Sequence, residues 1–419
     1  MLSAAEVSLV RFRLSFFVLL GAITALTAAR PARSNQTPSS RPVRVLLGSV
    51  PREAALPAAT KWKLIDEKRR VVASAESSER WSVLRDGRRL RVIHADAPSS
   101  AWIDGPLSFE TGADVAWQKK TYRGILVFSP ADTGLLIVNR VDVEEYLRGV
   151  IPLEIGARLT SDHAAVEAQA VAARSYTYTR MLSSGQRDFD LRATDSDQVY
   201  GGVAAETFWG DLAVAATAGW VLSYRGQVVT GPYHSACGGS TALPSETWRG
   251  GQNGFLRAVS DTSPRTGRPW CEISPRAQWE RRIPAADLAS ALERYGRSYA
   301  TVPPGASGSI RDVRIDNRSS TSRAGTVVFA TAAGDLAFRN DNIRYVLRPA
   351  GEVLPSTDIT LTTERNSSGG LQTVVVKGRG YGHGVGLCQW GAIARARAGE
   401  DFRAILKAYY PGADITRAP

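Results

Sequence analysis

"GRGYGHGVGLCQWGA" (residues 378–392) is the stretch on which the reading of this chain turns. Glycines alternate from Gly378 to Gly386, with a histidine, a cysteine and a tryptophan close by. Each glycine inside a helix or strand costs roughly 0.5–1 kcal/mol relative to alanine, so the run reads as neither. It follows strand-like "TVVVKG", but no βαβ unit with a downstream acidic residue accompanies it. That excludes a dinucleotide-binding loop. Two readings remain. The backbone turns sharply and comes close to a ligand, or the segment is a structural turn buttressing the core.

The chain around it has 419 residues, 43% hydrophobic and 22% charged, close to globular averages, so a packed core is expected. Arg11 and Arg13 precede the apolar run "LSFFVLLGAITALTAAR". A basic region, an apolar run and a small-residue exit near Ala29 read as a secretory signal over 1–29, with an uncleaved membrane anchor as the alternative. Residues 30–42 are a Pro/Ser/Arg-rich linker. The expected location is therefore exported, in the periplasm or cell envelope. The net charge of +12 then points to an acidic envelope polymer as partner, and export argues against nucleic acid.

Residues 43–125 read as short strands split by Gly, Pro, Asp and Ser. The texture changes at "VDVEEYLRGVIPLEIG", where Asp142 caps a helix that Pro152 should end close to Glu154. "SDHAAVEAQAVAARSYTYTRML" is a second helix, capped by Ser161 or Asp162. Its alanine face lets another backbone come close. A strand–turn–strand follows, with a hairpin near Arg225-Gly226. "AADLASALERYG" is helical, residues 301–370 return to short strands, and "DFRAILKAYYPG" is a closing helix. The expected fold class is α+β: a β-rich single large core with central alanine-rich helices and a small helical/β insertion. Within a domain at 43–415, the parts are 43–125, a catalytic core at 126–271, an insertion at 272–370 and the C-terminal segment at 371–415.

Several residues offer chemistry. Glu154 stands among Val150, Ile151, Leu153 and Ile155. A carboxyl among apolar groups is harder to ionise, which suits a general acid. The other reading is a surface glutamate past a helix end. In "DSDQVYGG", Asp197, Gln198 and Tyr200 are placed to hydrogen-bond hydroxyls and pack on a sugar ring, or simply to form a turn. His234 and Cys237 in "YHSACGGST", with His383 and Cys388, would make a tetrahedral zinc site from two loops. A Cys237–Cys271 disulfide, or a buried thiol beside a hydrogen-bonded histidine, are the alternatives. No GxSxG, HExxH or P-loop motif is present.

"VDVEEYLRGVIPLEIG", "VEAQAVAARSYTY", "DSDQVYGG", "YHSACGGST" and "GRGYGHGVGLCQWGA" occur in that order. In this the chain resembles the SpoIID/LytB family, the stage II sporulation protein D and amidase-enhancer type, over most of 43–415. It departs from the sporulation type at Cys388, where that type commonly has serine. The resemblance implies peptidoglycan work: lytic cleavage of glycan strands stripped of stem peptides, with Glu154 as the catalytic glutamate. It implies no obligatory cofactor, although some relatives carry zinc near the active site, at positions matching His234 and Cys237. One carboxyl is enough if the sugar's own C6 hydroxyl attacks and a 1,6-anhydro product forms. Arg174, Arg379, Tyr381, His383 and Gln389 are then candidate groove residues. The competing readings are a non-catalytic murein binder that enhances a cell-wall amidase, and a metal-centred hydrolase.

Overall fold

The structure, a computed structural model, describes residues 41–248, 250, 254–349 and 351–418. The expected signal at 1–29 and most of the linker lie outside the described residues. The fold is α+β. A seven-stranded sheet runs, in spatial order, Leu191–Arg192, Val43–Val50, Gly134–Val141, Ile125–Ala131, Leu107–Glu110, Trp62–Ile65 and Val71–Ala75. Its long strands pair antiparallel, Val43 opposite Val141 and Ile125 opposite Arg140.

Three helices follow the last long strand of that sheet. The first, α1 (Val143–Arg148), starts at Asp142, whose carboxylate accepts from the amides of Glu144 and Glu145. The second, α2 (Ile151–Ile155), contains Glu154. The sequence suggested one helix ended by Pro152. Instead the chain breaks at Gly149 and Pro152 lies in the first turn of α2, where its missing N–H has no helical acceptor to lose. The third, α3 (His163–Ser183), is the alanine-rich helix. Asp162 stands at its N-cap position, but its carboxylate is taken by Arg397, at 2.7 and 3.1 Å, and by the Leu159 amide.

The alanines of α3 serve the expected purpose. Ala165, Ala168, Ala170, Ala172 and Ala173 are fully buried. The backbone at Gly231 packs so close to Ala172 that an added Cβ would lie 2.8 Å from the Ala172 carbonyl oxygen. The hairpin near Arg225-Gly226 joins Trp220–Tyr224 to Gln227–Val228. A strand not expected from the sequence, Asp414–Arg417, pairs on the other side of Trp220–Tyr224. It follows the closing helix Phe402–Tyr409, which Asp401 caps.

The insertion has a hydrophobic core of its own, built from Ile283, Leu288, Leu292, Val327, Phe329, Phe338, Val374 and Val376 among others. The strand Leu371–Arg379 is central to one of its sheets, between Gln278–Pro284 and Ile359–Arg365. The sequence reading grouped that strand with the C-terminal segment. In the fold it leads directly from the insertion into the glycine-rich run. Among the described residues, no helix is long and apolar enough to cross a membrane.

Candidate active site around Glu154

The glycine-rich run folds against residues 232–238. Tyr381 exchanges two backbone hydrogen bonds with Ala236, at 2.7 and 3.0 Å. Leu387–Cys388 pairs parallel with Tyr233–His234. Gly382 and Gly386 have φ of +111° and +74°, a region that favours glycine. A Cβ on Gly382 would lie 2.8 Å from that of His234, and one on Gly386 would overlap the Pro232 carbonyl oxygen. The glycines therefore bring backbone against another segment of this chain, which is the buttressing alternative of the two readings.

This paired unit carries two side chains to Glu154. The Tyr233 hydroxyl hydrogen-bonds the Glu154 carboxyl. Gln389 is buried, and its Nε2 donates to the Glu154 backbone carbonyl at 3.1 Å and to Gln169 Oε1 at 3.3 Å. From a third side the Val199 amide donates to Glu154 Oε1 at 2.8 Å. Burial pushes the Glu154 carboxyl above the usual carboxylate range, and the Val199 and Tyr233 donors pull it back only in part. Leu153 and Val199 beside it are exposed. The site is a half-buried acid under an apolar rim.

The other sequence candidates separate clearly. Gln198 is fully buried. Its Nε2 donates to the Tyr233 hydroxyl at 3.2 Å, and its Oε1 accepts from Tyr146 and Thr177 at 3.2 and 3.0 Å. It positions Tyr233 and presents nothing to a ligand. Asp197 binds Tyr176 Oη at 2.9 Å, Arg180 at 2.7 Å and the Arg192 amide at 3.0 Å. Tyr200 is buried against Tyr122 and Tyr146, with its hydroxyl on Asn139. The loop's direct contribution to the site is the Val199 amide.

Arg174 was a candidate groove residue and is instead fully buried. It grips Glu144 with two bonds, at 2.8 and 2.6 Å, and donates to the Trp220 carbonyl at 3.1 Å. That ties α1, α3 and the Trp220 strand together. Arg379 is exposed and pairs with Asp358 at 3.1 Å. Tyr381 is half-buried, with the Arg276 guanidinium 4.8 Å from its ring centroid.

His383 lies between His234 and Trp248, ring centroids 5.5 and 5.1 Å away. Its Nδ1 accepts from the Val385 amide at 3.1 Å, and burial lowers its pKa to about 4. His234 is buried, and its Nδ1 donates to the Val385 carbonyl at 3.1 Å. The expected ligand set His234, Cys237, His383 and Cys388 is not brought together. Among the described residues, Cys237 and Cys388 gather with Cys271 and Asp261, and the histidines stand apart from that group. Sequence reasoning did not select Tyr233, Gln169 or Asp261. Tyr233 was legible only as the residue before His234.

Residues 131–224, which contain Glu154, match the family described as Stage II sporulation protein. Residues 271–386 match a family described as a domain of unknown function, and it covers most of the second core. An uncharacterized protein of Brachyspira hyodysenteriae is 29% identical over 313 residues, 73% of this chain and 75% of that protein. The amidase enhancer of Bacillus subtilis is 29% identical over 64% of this chain, which spans 40% of the enhancer's length. Stage II sporulation protein D of Bacillus subtilis is 26% identical over 67% of this chain and 76% of its own. The segment matched to the Stage II sporulation protein family holds the half-buried glutamate, and the similarity to the sporulation protein and the amidase enhancer extends beyond it.

Proposed function

We propose that this protein works on the cell wall of the envelope into which it is exported, cutting peptidoglycan glycan strands as a lytic transglycosylase. The observation that carries the reading is the Glu154 carboxyl, raised by burial and held by the Val199 amide and the Tyr233 hydroxyl. A carboxylic acid that keeps its proton toward neutrality is suited to protonate a glycosidic oxygen. As the bond to the anomeric carbon breaks, the C6 hydroxyl of the same sugar attacks that carbon. The Glu154 carboxylate takes the hydroxyl proton, which restores the acid and leaves a 1,6-anhydro end. Hydrolysis with two carboxyl groups would need a second free acid. Of the two acids in the neighbouring loop, Asp197 is committed to Tyr176, Arg180 and the Arg192 amide, and Asp195 is exposed.

Strands without stem peptides carry free lactyl carboxylates, and the net charge of +12 favours such a polymer. The test is to incubate the protein with purified strands, with and without stem peptides, and read the ends by mass spectrometry. Anhydro ends, more abundant from stripped strands, are expected. The similarity to an amidase enhancer favours a second reading, in which the protein binds murein and stimulates a separate cell-wall amidase without cutting. Intact strands together with faster amidase turnover would establish that one instead.

A further inference from the structure

We propose that Cys237, Asp261, Cys271 and Cys388 hold one divalent ion of the zinc type in a closed, structural site. The four donor atoms lie within 4.8 Å of one another, and all four residues are fully buried. They come from separate places. Cys237 follows the Tyr233–His234 strand, Asp261 lies in a loop, Cys271 in the turn Trp270–Ile273, and Cys388 on the strand paired with Tyr233–His234.

The spacing fits one small ion. Cys237 Sγ is 3.6 Å from Cys271 Sγ and 3.2 Å from Asp261 Oδ2. Tetrahedral zinc with its usual metal–sulfur bonds sets neighbouring sulfurs about 3.8 Å apart. The surroundings are also those of a metal site. Backbone amides point at the sulfurs: Cys237 N at Cys388 Sγ, 3.2 Å, and Gly239 N at Cys237 Sγ, 3.4 Å. The two oxygens of Asp261 have different tasks. Oδ1 accepts from Tyr409 Oη at 2.6 Å and faces Arg395 at 3.6 Å, while Oδ2 turns toward the sulfurs. A carboxylate oriented through one oxygen leaves the other for coordination. Three sulfurs and one oxygen select a thiolate-preferring ion over calcium or magnesium.

Burial of all four donors leaves no position for substrate, which marks a structural ion rather than a catalytic one. It would pin the 261–271 segment and the turn after the Tyr233–His234 strand to the end of the glycine-rich run. Gln389, which holds the Glu154 carbonyl, is the residue after Cys388. Binding releases the thiol protons, so affinity falls as pH is lowered.

The test uses the full chain, purified without metal-affinity resin, dialysed against zinc and then against metal-free buffer. Elemental analysis should give one zinc per chain. Cobalt in its place should show the intense absorption of a tetrahedral thiolate site. Cys271→Ser and Cys388→Ser should lose the ion, and Tyr409→Phe should weaken it by about 10–100-fold. His234→Gln and His383→Gln should keep it. Folded wild-type protein with far less than one ion per chain, or with two of these cysteines in a disulfide under non-reducing mass spectrometry, would overturn the proposal. So would loss of the ion in the histidine variants alone. If the cysteine variants do not fold, the wild-type stoichiometry and cobalt spectrum decide.

Discussion

Replacing Gly386 by alanine tests whether the glycine-rich run owes its composition to packing within the chain. Gly386 and Gly226 share a φ of +74°, but their surroundings differ. A Cβ on Gly226 meets nothing within 4 Å, whereas one on Gly386 overlaps the Pro232 carbonyl oxygen and comes within 3.0 Å of the Tyr410 ring. The left-handed backbone costs alanine roughly 1–2 kcal/mol at either position. Only Gly386→Ala adds overpacking, about 1–3 kcal/mol more. Gly226→Ala should therefore lose about 1–2 kcal/mol and Gly386→Ala about 2–5 kcal/mol. Urea unfolding followed by tryptophan fluorescence reads both. The Gly386 variant should also lose strand cleavage, because the displaced strand carries Gln389 away from Glu154. Equal losses in the two variants would refute the packing argument and return the run to a ligand-facing role.

Arg174→Met should destabilise the protein by about 3 kcal/mol, the low end for breaking a buried pair because Glu144 is 31% exposed; denaturant titration checks it, and a weakened glycan KM at unchanged stability would restore Arg174 to the groove. Product formation should fall as pH rises through the folded Glu154 pKa, since burial raises that pKa and the acid step needs the proton. The same shift makes ionised Glu154 a burden on the fold, so its stabilising contribution is present at low pH and is lost through that window. Tyr233→Phe removes a donor that favours the carboxylate and should move the alkaline limb of the pH–rate profile upward; a limb that stays or moves down contradicts the bond.

What local chemistry dictates was legible in the sequence. Asp142 caps a helix, Arg225-Gly226 turns a hairpin, and the alanines of α3 admit a close neighbour, all from residues within one turn or one face. What long-range pairing decides was not. Gln389 reaches the Glu154 carbonyl across 235 positions, and Gln198 turns inward to Tyr233 rather than outward to a sugar. Arg174 reads equally as a ligand contact or a buried ion pair until Glu144 is seen beside it. The thiol cluster was hidden for the same reason. Its spacing follows no finger motif, and His234, three residues before Cys237, suggests a ligand whose Nδ1 the fold gives to Val385.

In the proposed reaction Glu154 supplies and then recovers the proton at the scissile bond. The most direct test compares wild type with Glu154→Gln on peptide-free strands, by mass spectrometry of the released ends, once both proteins give the same near-ultraviolet circular dichroism. Anhydro ends should fall by about 10²–10⁴-fold in the variant. Undiminished release by a folded Glu154→Gln protein would contradict that role.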